Sequence, residues 1–280
     1  MGPCSNGPDA KKPFSFKKEN HTMPLSILQS CIEALVHARR HHTLTDALPF
    51  GNAVSSLETA YDVQQEVADR LAWFQPGTPQ HWKSGGPSRD AVLTHARLPE
   101  GGIWPSPAVT AWPFAMRGIE AEIALRLAMP VDAQCAANLD RDGACRLVDA
   151  MTVSIEVVDS RWAQGLEAPA LLKLADLQSH GALVLGNWVP FDAAHDWSGQ
   201  WCRVQITGSS PQAFRGTHSL GDPAYVLPAL LRHATRGGRV VPAGSVVTTG
   251  TWCGVLQARP GDTVVVAFDG VGEARITFSA

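Results

Sequence analysis

Three glutamates interrupt two segments that otherwise have the composition of buried β-strands. In residues 117–127 (RGIEAEIALRL), apolar side chains alternate with Glu120, Glu122 and Ala124. Because successive side chains of a strand point to opposite faces, these two carboxylates lie on one face, about 7 Å apart. In residues 152–161 (TVSIEVVDSR), Glu156 occupies a similar mid-strand position. The chain must therefore fold so that mid-strand carboxylates face either water or a compensating charge.

The three carboxylates have two interpretations. Each glutamate can lie on the solvent face of a half-exposed antiparallel sheet, opposite a core face. Alternatively, the two strands lie side by side and bring the carboxylates together, where they would repel one another unless a cation held them. Oxygen ligands of this kind suit Mg²⁺ or Mn²⁺. We favour the second interpretation, because two such strands follow each other closely in the chain.

The composition indicates a globular protein and excludes several function classes. Of 280 residues, 45% are hydrophobic and 18% charged, and the formal net charge is -3. A slightly acidic chain lacks the positive surface of a general nucleic-acid binder. No apolar run approaches the roughly 18 residues that span a membrane. The six cysteines have no CxxC spacing, and the N-terminus has no apolar signal segment. We therefore expect a cytoplasmic protein without nucleic-acid or membrane partners.

The chain divides into a polar tail, a helical part and a strand-rich part. Residues 1–22 contain four lysines and few apolar side chains, so we expect a disordered tail. Apolar residues spaced as on one helix face predict a helix that begins near Leu25. Ser55 and Glu58 have the spacing of a capping box and predict the start of a second helix. Residues 23–80 are thus predicted to be mainly helical, and residues 81–280 to form strands.

Short apolar segments separated by glycine and proline dominate the chain beyond Trp82. They predict strands at Gly118–Leu127, Thr152–Val158, Ala182–Leu185, Trp201–Ile206, Ser245–Thr249, Thr263–Phe268 and Glu273–Phe278. Helices are predicted at Gly143–Met151 and Pro223–Thr235. The strands do not alternate regularly with long helices, which argues against a dinucleotide-binding fold. No glycine-rich segment has the spacing of a P-loop.

Several short motifs occur in an order that resembles one protein family. The segments GIEAEIAL and SIEVVDSR resemble the metal-binding core of the fumarylacetoacetate hydrolase superfamily. More narrowly, they resemble its branch of 2-keto-4-pentenoate hydratases and 2-oxo-hex-3-enedioate (4-oxalocrotonate) decarboxylases. Further matches follow in the same order: Ala60–Gln64, His81–Gly85, Asp176–Gly181, Leu220–Pro223, Val247–Thr251 and Gly261–Val264. No single motif is specific, but the ordered set is.

The resemblance implies an α+β fold, a mixed β-roll like the C-terminal domain of fumarylacetoacetate hydrolase with flanking helices. Residues 23–280 would form a single hydratase-like catalytic domain. Glu120, Glu122 and Glu156 would hold Mg²⁺ or Mn²⁺. Lys83 would approach the carboxylate or the enolised oxygen of a 2-oxo acid, and Ser179 would bind the substrate near the metal. The resemblance also implies a homo-oligomer, at least a dimer.

The implied activity is metal-dependent hydration of a 2-hydroxydienoate in the catabolism of aromatic compounds. Decarboxylation of a related oxo-diacid and acylpyruvate-type C–C hydrolysis stay open. A protein that binds metal and a 2-oxo acid without turnover also stays open. The reason is that no Asp or Glu lies between Gly102 and Arg117, where the family's hydratases usually carry an acid.

A diacid substrate would require a cation at the far end of its pocket. Arg89, Arg97 and Arg161 are the candidates. Arg161 is close enough in sequence to Glu156 to bind substrate, but it can equally pair with Asp159. Thr251, in the family-like segment near the C-terminus, is a second candidate for substrate binding.

Overall fold

The computed structural model describes residues 26–280. The predicted tail, residues 1–22, lies outside the described residues. The described part has six α-helices and fourteen strands, arranged as two mixed sheets with flanking helices. None of the described helices combines the length and the apolar character that a membrane span requires.

Two helices open the described part of the chain, α1 (Ile27–His41) and α2 (Leu57–Arg70). Their apolar faces are buried together in a cluster that also contains residues of a later, short helix. The side chain of Ser56 accepts a hydrogen bond from a main-chain N–H of the first turn of α2 and caps that helix. The predicted cap, Ser55, was therefore wrong by one residue.

Four shorter helices and fourteen strands complete the fold. The helices are α3 (Ala133–Ala137), α4 (Arg141–Cys145), α5 (Ala170–Ala175) and α6 (Leu227–Ala234). The strands are β1 (His81–Gly85), β2 (Thr94–Leu98), β3 (Ile103–Pro105), β4 (Ala108–Thr110), β5 (Gly118–Leu127), β6 (Val148–Val158), β7 (His180–Leu185), β8 (Val189–Pro190), β9 (Trp201–Ile206), β10 (Gln212–Arg215), β11 (Val246–Thr248), β12 (Leu256–Gln257), β13 (Thr263–Phe268) and β14 (Gly272–Phe278).

The larger sheet has the order β2-β1-β11-β5-β6-β7-β3, with β12 paired to β5 and β8 to β6. The long antiparallel pair β5–β6 forms its centre. Strand β1 runs parallel to β11, and β11 runs antiparallel to β5. This pairing brings Lys83 of β1 and Thr248 of β11 close to the glutamates of β5.

The smaller sheet, in the order β10-β9-β13-β14-β4, packs through β13 and β14 against β6 and β7. Apolar side chains from both sheets form the main core, including Ile123, Val153, Val266 and Ile276, each almost completely buried. Full burial of one such side chain contributes about 1.5–3 kcal/mol. The sheets approach closely at Gly186, where an added Cβ would lie 2.6 Å from a carbonyl oxygen of β14.

The α+β roll with flanking helices is confirmed, and each of the seven predicted strands is present. Three of them match in both bounds, Gly118–Leu127, Trp201–Ile206 and Thr263–Phe268. The predicted helix Gly143–Met151 was wrong in its second half. That helix ends at Cys145, and β6 begins at Val148, because the main chain pairs there with β5 and β8.

Candidate active site

Three carboxylates meet at the centre of the larger sheet. In the antiparallel register of β5 and β6, Glu120 lies directly opposite Glu156, and Glu122 lies two residues further along the same face. One carboxylate oxygen of each residue lies within 4.8 Å of those of the other two. The Glu122 residue is 2% exposed and Glu156 is completely buried. Glu120 is half-buried. Burial withdraws most of the stabilisation by water from Glu122 and Glu156, so the surrounding groups must stabilise these two charges.

The two carboxylate oxygens of Glu156 have different surroundings. The Lys83 Nζ atom donates to its Oε1 at 2.6 Å, and the His180 Nδ1 atom lies 3.0 Å from the same oxygen. The other oxygen, Oε2, is buried and has no hydrogen-bond partner among the described residues. Glu156 is thus held from one side and presents a bare oxygen to the cluster.

The carboxylate of Glu122 is held from the β11 side. The Thr248 hydroxyl and the Gly250 N–H, the latter at 3.0 Å, both donate to its Oε2. The Thr248 hydroxyl also lies 3.0 Å from the Ser154 hydroxyl of β6. Because Glu122 and Glu156 each have one oxygen occupied, their remaining oxygens are oriented by the scaffold.

Burial and the positive charge of Lys83 shift the pKa values of the three glutamates in different directions. Burial raises the pKa of Glu120 to about 8, even though Lys83 opposes the shift. Burial and the Glu156 charge raise the pKa of Glu122 to about 7. Burial would also raise the pKa of Glu156, but Lys83 and His180 hold it below its ordinary value. The three carboxylates raise the pKa of Lys83 although burial opposes them, so this lysine stays charged.

The donor set fits a hard divalent cation. Three carboxylates converge, and Lys83 supplies one positive charge beside them. The Glu156 Oε2 atom has no hydrogen-bond partner among the described residues. Carboxylate oxygens with room for additional oxygen ligands are the environment that Mg²⁺ or Mn²⁺ prefers. Glu120, Glu122 and Glu156 would hold such an ion, as the sequence predicts.

A cavity of about 190 Å³ opens beside the carboxylates. Lys83, Glu120 and Glu122 line one part of it, and Ser219 and Thr251 line another. The Thr251 hydroxyl donates to the Gly254 carbonyl at 2.9 Å, which stabilises the turn at the cavity edge. The structure therefore brings Thr251 to the same cavity as Lys83 and two of the candidate metal ligands, Glu120 and Glu122.

The segment Leu177–Ser179 borders the site in an unusual backbone conformation. Its three residues all have positive φ, of 53°, 55° and 59°. The Gln178 carbonyl accepts a hydrogen bond from Lys83 Nζ at 3.3 Å. The Ser179 hydroxyl is buried without a hydrogen-bond partner in the described chain, and Ser179 is not among the described residues that line the cavity. Ser179 thus lies between two residues that contact the site, Gln178 and His180, but outside the cavity lining, whereas the sequence predicts a position beside the substrate.

Arg161 lies in a separate, buried charge cluster. Its guanidinium bonds to Asp176 at 3.0 Å and to Asp159 at 3.2 Å, and it also donates to the His180 carbonyl at 2.8 Å. Arg39 of α1 binds the same Asp176 carboxylate at 2.7 Å. Of the two roles open to Arg161, the structure favours pairing with Asp159, since its donors are engaged away from the cavity. Arg161 therefore anchors the segment that begins at Asp176.

Two polar residues of the site were not assigned a role from the sequence. His180 lay inside a family-like motif, but its contact with Glu156 depends on a shift in register between β6 and β7. Thr248 also lay inside such a motif. A threonine at the end of the buried pair Val246 and Val247 was the available signal for it.

The protein is thus a β-roll with a cluster of three carboxylates at the centre of its larger sheet, next to a cavity. The profile of the family described as Fumarylacetoacetate (FAA) hydrolase C-terminal matches residues 90–279. The chain belongs to this family.

Among curated relatives, the 2-keto-4-pentenoate hydratase of Paraburkholderia xenovorans (strain LB400) is 26% identical over 162 residues. This match covers 58% of the chain and 59% of that hydratase, so the chain spans somewhat over half of the relative's length. The hydratase of the same name from Paraburkholderia phymatum is 26% identical over 250 residues, which cover 84% of the chain and 90% of the relative.

A solved structure shares the fold over most of its length. The 4-oxalocrotonate decarboxylase from Pseudomonas putida G7, complexed with magnesium and adipate, superimposes with a TM-score of 0.76. The match covers 90% of the chain and 97% of the decarboxylase, at 20% identity. At that identity the likeness establishes the fold.

Proposed function

We propose that the protein is a metal-dependent hydratase of 2-hydroxydienoates, similar to 2-keto-4-pentenoate hydratase. The observation that carries the proposal is the convergence of three carboxylates, with Glu122 and Glu156 buried and Glu120 half-buried, beside a charged lysine and an open cavity. The named relatives support the same class of reaction. We expect this enzyme to act in the cytoplasm, in the degradation of aromatic compounds, and to form a homo-oligomer.

The residues of the site supply the charges that this reaction requires. A bound Mg²⁺ or Mn²⁺ would act as a Lewis acid toward the carboxylate and keto oxygens of a 2-oxo acid. Lys83 contributes a fixed positive charge where the substrate becomes a dienolate, and a preorganised charge of this kind stabilises the transition state. Glu156 and the Gln178 carbonyl position its ammonium group. Thr251 and Ser219 line the cavity wall, and because their hydroxyls already donate to the Gly254 and Gly86 carbonyls, their oxygens would meet the substrate as hydrogen-bond acceptors.

Decarboxylation of an oxo-diacid is the main alternative, and it would require a cation for the second carboxylate. Among the described residues that line the cavity, Lys83 is the only basic one. Arg161 is occupied by Asp159 and Asp176, and Arg97 lies over the Phe74 ring, 3.9 Å from its centroid. These placements favour a substrate with one carboxylate and therefore support hydration.

The test is to incubate the protein with Mg²⁺ and a panel of mono- and dicarboxylic 2-hydroxydienoates and to identify the products by mass. Hydration adds water, decarboxylation removes CO₂, and hydrolysis gives two fragments. We expect addition of water to a monocarboxylic substrate, and a roughly hundredfold lower kcat for Lys83→Ala. Arg126→Ala, on the outer part of β5, is the matched control and should keep full activity. Binding of oxalate with metal but no turnover of any dienoate would favour the non-catalytic alternative.

A further inference from the structure

A larger cavity, of about 530 Å³, lies on the opposite face of the β1–β2 hairpin from the carboxylates. Neighbouring residues of β1 point to opposite faces, so Lys83 reaches Glu156 while the Ser84 hydroxyl lies 2.8 Å from His95 Nδ1 on β2. Ser84 borders the metal-site cavity, and His95 lines the second one. Ser84 and His95, which contact each other, thus belong to the linings of the two different cavities.

The rim of this second cavity carries an excess of positive charge. Arg89, Arg232 and Arg236 line it, against one carboxylate, that of Glu58. In the described part of the chain, no ion pair within 4.0 Å involves any of these three arginines. Arg89 and Arg232 instead donate to main-chain carbonyl oxygens, at 2.7 and 3.0 Å, which do not neutralise their charge. Arg89, a sequence candidate for the distal end of the substrate pocket, belongs to this cavity.

The floor and walls of the cavity are aromatic and apolar. The His233 ring lies 4.3 Å from the Tyr61 ring and 5.1 Å from the His95 ring, between centroids. Leu57 and Leu93 form the walls. Burial first, and then nearby positive charges, lowers the pKa of His95 to about 3 and that of His233 to about 4. Both imidazoles are therefore neutral, and the positive charge is concentrated at the rim.

We propose that this cavity is a second binding site, which takes an organic anion: a carboxylate attached to an apolar, preferably aromatic, body. A guanidinium group binds a carboxylate through charge-assisted hydrogen bonds, and three guanidinium groups surround the opening. A flat apolar body matches the floor of rings and the leucine walls, since aromatic rings pack favourably against one another. An aperture with converging charged groups above an apolar interior is the usual form of a small-molecule site.

Benzoate is the probe, titrated into the full chain by calorimetry, with and without saturating Mg²⁺ and oxalate. Mg²⁺ and oxalate are added to fill the candidate metal site, so that benzoate binding in the second cavity is distinguished from binding there, and the inference does not depend on the proposed function. We expect saturable 1:1 binding that is unaffected by Mg²⁺ and oxalate. Arg89→Ala and Arg236→Ala should each weaken binding about tenfold, the value of one charge-assisted hydrogen bond. Arg215→Ala is the matched control, because this exposed arginine lies over Trp201 on a distant strand.

Benzamide and inorganic phosphate test the two halves of the proposed ligand. Benzamide has the ring without the charge, and phosphate has the charge without the ring, so both should bind at least about tenfold more weakly than benzoate. Equal binding of either would overturn the proposal. So would absence of saturable benzoate binding, displacement of benzoate by oxalate, or an equal loss in Arg215→Ala. If Arg89→Ala or Arg236→Ala instead dissociates an oligomer in sedimentation, the cavity belongs to a subunit contact and the proposal fails.

Discussion

Replacement of Lys83 by methionine should destabilise the metal-free protein far more than the loss of an ordinary surface charge. Methionine keeps most of the side-chain volume and removes the ammonium group. The Lys83 side chain is only 12% exposed and that of Glu156 is fully buried. Glu156 would then keep the His180 contact as its only hydrogen bond among the described residues.

The expected magnitude follows from the burial of the pair. Removal of one partner of a buried ion pair costs about 3–5 kcal/mol, and the remaining His180 contact places this case near about 3 kcal/mol. For a domain of this size, about 3 kcal/mol lowers Tm by roughly 6–12 °C. The control is Arg126→Met, which breaks the pair with Asp149 at 2.8 Å, where the side chains are 35% and 42% exposed. Exposed ion pairs contribute less than about 1 kcal/mol to the free energy of unfolding, so Arg126→Met should lower Tm only slightly.

Thermal unfolding at pH 8, followed by circular dichroism with EDTA and then with Mg²⁺, measures the effect. Mg²⁺ should restore most of the loss in Lys83→Met, because the ion supplies positive charge beside Glu156. It should leave the small effect of Arg126→Met unchanged. Equal decreases in Tm for the two variants in EDTA would contradict this expectation. So would a Tm difference between Lys83→Met and the wild type that Mg²⁺ does not reduce.

Three further outcomes are expected. The Tm of the metal-free protein should fall as pH rises from 6 to 8, and Mg²⁺ should raise Tm more at pH 8 than at pH 6. The reason is that the folded state raises the pKa of Glu120 to about 8 and that of Glu122 to about 7, so it holds protons that the unfolded chain releases. A metal-free Tm that rises over this pH range would contradict this. Glu122→Gln should weaken Mg²⁺ binding by at least about tenfold, with activity partly restored at high Mg²⁺; unchanged affinity by calorimetry would exclude it as a ligand. His180→Asn, which keeps a donor for Glu156, should retain Mg²⁺ affinity that His180→Leu loses, whereas equal affinities would show that the contact has no positioning role.

Strand alternation was sufficient to predict the centre of the site. The pattern of residues 117–127 places Glu120 and Glu122 on one face, and in the structure the opposite face, with Ile119 and Ile123, lies in the core. The expectation that Glu156 joins them required only that the two strands be neighbours. Such local rules work here because both strands are long and regularly paired.

The parts of the site that depend on distant pairing were not predictable in the same way. Thr248 reaches Glu122 because β11 pairs with β5 across more than a hundred residues of chain. The position of Arg161 depends on Asp176 and on Arg39 of α1, which no sequence spacing relates. These contacts arise from topology, and local patterns carry no information about them.

In the left-handed segment Leu177–Ser179, stability and activity impose opposite demands on Gln178, the position whose side chain is not buried. Each non-glycine residue in this conformation costs roughly 1–2 kcal/mol relative to a right-handed one, and glycine is free of that cost. Selection for thermal resistance alone should therefore favour glycine at Gln178. Glycine would also loosen the backbone carbonyl that holds Lys83. Laboratory evolution for heat tolerance should enrich glycine here only when catalysis is left unselected.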